Sequence, residues 1–176
     1  MKLKVHDYFI RKSMDLLRPG GILAVVTSKG TLDKNDSTVR KNLAEQADLL
    51  GAVRLPADSF GKSANTAVTS DLLFFQKKAE PLMGEPIWTY TGLTEDMVPV
   101  NEYYLEHPEM MLGKMVWFEQ FFGKDSKYTA LVNNAEDFDL EKGILDAVGE
   151  LPQNCYEESI AEKKEEAQDV LAASPK

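Results

Sequence analysis

Residues 49–78, LLGAVRLPADSFGKSANTAVTSDLLFFQKK, constrain the fold more than any other stretch. Residues 49–55 are apolar apart from Gly51 and Arg54, and residues 72–75 read Leu, Leu, Phe, Phe. Both segments have the composition of strands. Between them lie Pro56, Gly61 and several small polar side chains, the composition of a loop. A loop this long inside a compact domain is more often a functional segment than a plain connector. The pattern is strand, long loop, strand.

The preceding residues supply the elements such a unit packs against. Val5, Phe9 and Leu16, together with Tyr8, Met14 and Leu17, recur at helical spacing and predict an amphipathic helix over residues 5–17. Arg18-Pro19-Gly20-Gly21 ends it, because proline cannot continue a helix and glycine permits a left-handed exit. Residues 22–27, Ile-Leu-Ala-Val-Val-Thr, are apolar on both faces and predict a strand covered on both sides, as in a parallel sheet. Residues 28–31 read as a loop. Asp36 or Ser37 is placed to cap a helix carrying Val39, Leu43 and Ala47 on one face. Helix, strand, helix, strand with short links predicts a wound α/β sheet. A strand as apolar as 22–27 belongs inside a sheet, so further strands are expected on its other side.

After Lys78 the character changes. Pro81, Gly84 and Pro86 mark a boundary, which divides the chain into a unit over residues 1–80, an α+β extension over 81–152 and an acidic tail, helical or disordered, over 153–176. Residues 87–90 read as a short strand, 102–106 as a helix capped by Asn101, 128–132 as a strand, and 139–150 as a helix capped by Asp139. Met110, Met111, Leu112, Met115, Val116, Trp117, Phe118, Phe121 and Phe122 form an apolar cluster. It reads as packing against the main unit, with a partner-facing patch as the alternative.

The net charge of −9 excludes nucleic-acid binding through the overall field, and the acid is concentrated after residue 80. Any DNA contact must be local, and Lys29, Lys62 and Ser63 lie in the loops where one is expected. Phe60 sits in the long loop, at the mouth of the expected sheet, where ligand crevices form. An aromatic there is either a lid on the core or a stacking surface for a planar ligand. Gly61-Lys62-Ser63 is not a phosphate-binding loop, because the position that needs the first glycine holds Pro56. His6 and His107 lie far apart, have no metal-ligand spacing to Cys155, and read as structural or surface residues. Asp71 interrupts an apolar strand and reads first as structural, as a paired buried acid or an edge residue, with a site role as the alternative. A single cysteine, Cys155, permits no internal disulfide and fits a cytoplasmic protein. No apolar run approaches the ~20 residues of a membrane span.

Three stretches carry a resemblance: HDYFIRKSMDLLRPGGILAVVTSKGTLD, RKNLAEQADLLGAVRLPADSF and NTAVTSDLLFFQKK. Together they resemble the C-terminal half of an N6-adenine DNA methyltransferase domain. The similarity is to the subfamily of type I modification subunits, also carried by helicase–methylase proteins of bacterial mobile elements. The resemblance implies a Rossmann-like sheet of strand order 3-2-1-4-5-7-6 with the seventh strand antiparallel, so the three strands here would be the fifth, sixth and seventh. It implies S-adenosylmethionine as methyl donor and DNA as substrate. It also implies a glycine-rich cofactor loop and an Asn/Asp-Pro-Pro-Tyr/Phe tetrapeptide, yet the sequence has no Gly-x-Gly and no Pro-Pro pair. The expectation is a methyltransferase fragment that binds no cofactor and is inactive alone. The alternative is a non-catalytic interaction or DNA-binding module derived from one. The resemblance places Phe60 where an aromatic ring stacks on the flipped adenine. The strand at 22–27 is expected to be covered by the missing N-terminal half or by a second copy.

Overall fold

The computed structural model of the chain describes residues 4–60, 68–117 and 128–155. Helix α1 (Val5–Leu16) ends where the sequence requires: Leu17 turns to extended backbone and Gly20 adopts a φ of 75°. Strand β1 (Ile22–Ser28) follows at once, then a short helix α2 (Gly30–Asp33) where a loop was expected. Asp36 caps α3 (Thr38–Gln46) by accepting from the Thr38 amide at 3.0 Å and its hydroxyl at 2.6 Å. Strands β2 (Ala47–Leu55) and β3 (Ser70–Lys77) are the two strands of the constraining stretch.

The three strands form one sheet of order β1-β3-β2, with β3 antiparallel to both neighbours. β1 and β2 therefore run parallel to each other without touching. This is the order and direction implied for the last three strands of the resembled sheet. It corrects the expectation that residues 22–27 form a strand with a parallel neighbour and two covered faces. Among the described residues β1 pairs only with β3, and Ile22, Ala24 and Val26 are exposed. The helix α1 departs from its sequence reading for a related reason. It buries Asp7, Ile10 and Met14, while Val5, Tyr8, Phe9 and Leu16 are exposed. The sheet lies under one stripe of the helix only, and the other apolar stripe, Val5, Phe9 and Leu16, stays largely exposed.

The extension contributes β4 (Thr91–Leu93) and β5 (Pro99–Asn101), helix α4 (Glu102–Glu106), strands β6 (Lys114–Trp117) and β7 (Thr129–Val132), and helix α5 (Leu140–Gly149). β4 pairs with β5 and β6 with β7, both antiparallel. Asn101 and Asp139 cap α4 and α5, accepting from the amides of Tyr103 and Lys142 at 3.0 and 3.1 Å. The expected strand at 87–90 is instead a 3-10 turn, Ile87–Thr89. Pro86 starts it, the Thr89 hydroxyl closes it onto the Pro86 carbonyl at 2.9 Å, and Trp88 drops into the core.

One hydrophobic core runs through both halves of the chain. Ile10, Met14, Leu43, Ala52, Leu73 and Phe75 share it with Trp88, Val100, Tyr104, Met110 and Ala147. Met110 and Met115 of the apolar cluster are buried and Trp117 is half exposed, while Phe118, Phe121 and Phe122 lie outside the described residues. The Phe75 and Trp88 rings meet at 5.8 Å between centroids, across the boundary near residue 80. Phe75→Ala is expected to cost about 3–5 kcal/mol, the range for deleting a buried aromatic ring. Urea unfolding read by tryptophan fluorescence checks this. A stability unchanged from the parent chain would contradict the shared core.

Candidate functional site

The register brings three chain segments to one end of the sheet. Ser28 at the end of β1 and Leu55 at the end of β2 both pair with Ser70, the first residue of β3. The loops leaving β1 and β2 and the segment entering β3 therefore emerge together, at the carboxyl ends of two parallel strands, where α/β sheets place ligands. The base of the long loop is closed by the Val68 amide donating to the Ala57 carbonyl at 3.0 Å. Strand β7 fastens it from the side: the Ala57 amide donates to the Leu131 carbonyl at 2.9 Å, and the Leu131 amide donates to the Thr69 hydroxyl at 2.8 Å. Phe60 stands on this pinned loop with half of its surface exposed. Lys62 and Ser63 lie outside the described residues.

Lys29 leaves the end of β1 and is half-buried rather than free in solution. Its Nζ donates to the Thr129 hydroxyl at 2.8 Å and stands 5.6 Å from the Tyr128 ring centroid. Burial holds its ammonium below the usual lysine pKa, with Asp33 and Asp71 opposing that shift and Arg54 adding to it. The structure thus brings Lys29 and the base of the Phe60 loop to the same end of the sheet.

Below that end lies a buried ionic cluster. Arg54 and Asp71 stand directly opposite on β2 and β3. The guanidinium donates to Asp71 from Nε at 2.8 Å and from Nη2 at 2.9 Å, and to Asp33 of α2 from Nη1 at 2.8 Å and from Nη2 at 2.9 Å. One planar fork therefore serves two carboxylates, a geometry lysine cannot supply. The same guanidinium packs on the Tyr104 ring of α4, 4.3 Å from its centroid. Asp33 reaches further, accepting from the Asn101 amide at 3.0 Å, and Asn101 donates to the Leu32 and Trp88 carbonyls, both at 2.9 Å. Burial alone would lower the Arg54 pKa, but Asp33 and Asp71 outweigh it and hold the guanidinium charged. Burial likewise raises Tyr104, reinforced by Asp71.

Asp71 is thus a paired buried acid, the first of its sequence readings. Sequence reasoning did not join it to Arg54, although the signal was present: opposite charges interrupting two apolar strands of one sheet need each other. His107 stacks on Tyr103 at 4.8 Å and meets Glu109 at 3.2 Å, a local packing role. Among the described residues no group of three or more His, Cys, Asp or Glu side chains could hold a metal ion. No helix among them is long and apolar enough to cross a membrane.

The class so defined is a mixed α/β domain whose strand ends converge beside a pinned aromatic loop. Comparison with known proteins narrows it. Residues 3–141 match the N-6 DNA methylase family, and the chain belongs to that family. It is also similar to a protein of Escherichia phage P1 described as "Defense against restriction protein B", at 28% identity over 120 residues. That match covers 65% of this chain and 5% of the phage protein, so the chain spans a small part of the relative's length.

N-6 DNA methylases act on DNA and generally use S-adenosylmethionine. The turn after β1 holds one glycine, Gly30, and a Cβ there would meet only the Ser28 hydroxyl, at an ordinary 3.6 Å. That turn therefore has room for a side chain at Gly30.

Two outcomes test the cluster. Arg54→Met is expected to destabilise the chain by about 3–5 kcal/mol, because it strands two carboxylates in the interior. Denaturant titration measures it, and a loss no larger than that of an exposed lysine would refute the account. Lys29 is expected to lose its proton below the ordinary lysine value of 10.5, because burial disfavours the charged form. NMR titration of the lysine side chains reads this, and a Lys29 midpoint at or above the others would contradict it.

Proposed function

We propose that this chain is the C-terminal portion of an S-adenosylmethionine-dependent adenine-N6 DNA methyltransferase domain, and that it does not transfer methyl groups alone. The observation that carries the reading is the β1-β3-β2 order with β3 antiparallel, which sets the ends of β1 and β2 beside the Phe60 loop. Family membership supports the methylation of DNA. In this reading the sheet is the last part of a Rossmann-like methyltransferase sheet. Polypeptide outside this chain supplies the cofactor loop and the tetrapeptide that holds the adenine amino group. The phage relative, with its described role against restriction, supports placing the chain in a modification protein of a mobile element.

Within this reading Phe60 is the stacking surface for an adenine flipped out of the duplex. The exposed ring on a loop fixed at its base suits that role, since a stacking platform gains from being held in place. Lys29, Lys62 and Ser63 are the candidate contacts to the DNA strand. Lys29 would act from its position against Thr129.

Transfer of labelled methyl from S-adenosylmethionine to DNA tests the reading. The chain alone is expected to give no transfer and no heat on calorimetric titration with the cofactor. In the completed enzyme, Phe60→Ala is expected to lower the rate of methylation by about 5–150-fold, the equivalent of a stacking contact of ~1–3 kcal/mol. Phe60→Trp is expected to retain most of it. Methyl transfer by the isolated chain would overturn the reading, and an unchanged rate for Phe60→Ala would remove the ring from the site.

A further inference from the structure

The two faces of the three-stranded sheet are covered unequally. Leu23 and Val25 of β1 stand opposite Phe75 and Leu73 of β3, and residues directly opposite each other share a face. Helix α1 lies on that face, where Lys77 of β3 donates to the Met14 and Leu17 carbonyls at 2.9 and 2.7 Å. The other face carries Ile22, Ala24 and Val26 of β1 opposite Gln76, Phe74 and Leu72 of β3, and continues into Gly51 and Val53 of β2. Over β2 this face is closed. Val53 is fully buried, and Leu151, just past α5, packs so tightly on Gly51 that a Cβ there would collide with it. Over β1 it is open. Among the described residues Ile22, Ala24 and Val26 are exposed, Val26 by 55%, and Leu72 and Phe74 beside them are only half-buried. An apolar strip of sheet faces outward.

The described chain reaches Cys155 at one end of this strip. Gln76 Nε2 donates to the Cys155 carbonyl, and also to the Gly20 carbonyl at 3.3 Å. Gln76 stands opposite Ile22, so the chain leaves Cys155 at the Ile22 end of the strip. The sequence that follows has the pattern of one amphipathic helix. Ser159 and Glu162 have the spacing of a capping box, which starts a helix at Ile160, and Ser174-Pro175 stops it. At ~100° per residue Ile160, Ala167, Val170 and Leu171 fall within an arc of about 100°. Glu162, Glu165, Glu166 and Asp169 fall on the opposite side. Lys163 lies in the apolar stripe and Lys164 at its border, where a lysine stem can follow apolar surface while its ammonium stays in water. A helix over residues 160–173 is ~21 Å long, and the seven residues of β1 span ~23 Å.

We infer that residues 160–173 form a helix that docks, within the same chain, on the open strip of Ile22, Ala24, Val26, Leu72 and Phe74. Its apolar stripe lies on the sheet, its acids face water, and it runs from the Ile22 end toward Ser28. Each part supplies what the other lacks. A helix this short is marginal in water by itself, and the strip leaves apolar side chains in contact with water. Only residues 156–159 join the two. The strip therefore meets this segment at an effective concentration that a second copy or a separate polypeptide does not reach in dilute solution. The acidic side chains then line the outer surface of the sheet on the side away from α1. The inference does not rest on the methyltransferase reading.

A spin label tests it in the full chain carrying Cys155→Ser and Gln168→Cys. Cys155 meets Gln76 through its backbone, and Gln168 lies outside the apolar stripe, so neither change touches the docking surfaces. The label is expected to broaden the amide NMR signals of Val26 and Leu72 more than those of Ile22 and Gln76, because the helix runs toward Ser28. Spin-labelled chain mixed with unlabelled, nitrogen-enriched chain is expected to broaden none of them. Ile160→Glu together with Leu171→Glu is expected to abolish the broadening and to speed amide exchange over residues 164–171 by about tenfold or more. Val26→Lys is expected to abolish the broadening at Leu72, whereas Phe9→Glu, on the far side of the sheet, leaves it. No broadening at Val26 and Leu72 overturns the proposal, as does broadening that survives Ile160→Glu with Leu171→Glu. Broadening in the mixture gives the strip to a second copy and overturns it as well.

Discussion

The structure depends on one guanidinium. Arg54 is fully buried and holds two carboxylates that come from different elements, Asp71 of β3 and Asp33 of α2. A lone charge at that depth would be untenable, and two carboxylates without the arginine would be worse. The three side chains are therefore conditional on each other, and on the sheet register that sets Arg54 opposite Asp71. Tyr104 and Asn101 extend the same cluster into the second half of the chain. The extension is fastened to the sheet by a network whose members cannot be exchanged singly.

That fastening decides what the long loop can do. β2 ends on Arg54 and Leu55, so the loop leaves the sheet directly above the ionic cluster. β7 then pins its base through Leu131, and Thr129 of the same strand takes the Lys29 ammonium. The second half of the chain thus forms one wall of the place where the strand ends converge. The physical consequence is preorganisation: a side chain on a loop closed at its base has less freedom to lose in any contact it makes.

Much of this was legible in the residues. The helix stop at Pro19-Gly20, the caps at Asp36, Asn101 and Asp139, and the strands on either side of the long loop all follow from local chemistry, which acts over a few residues and so is written in a few residues. What local chemistry could not show was orientation. The apolar positions of α1 form two stripes, and spacing alone does not say which of them meets the sheet. Residues 22–27 carry the composition of a central strand, and the chain as described leaves that strand at an edge. Residues 87–90 have strand-like composition, but the demand of the core for Trp88 tightened them into a 3-10 turn.

The sequence by itself determined the α/β class, the order of the main elements and the family, because hydrophobic period, turn residues and motif spacing are properties of the chain read in one dimension. The tertiary structure alone decided that Arg54 serves both Asp33 and Asp71, and that β7 grips the loop bearing Phe60. Each of these joins residues remote in the chain. Their partners are selected by burial, since a charge or an amide taken out of water must find its complement wherever the fold brings one within reach.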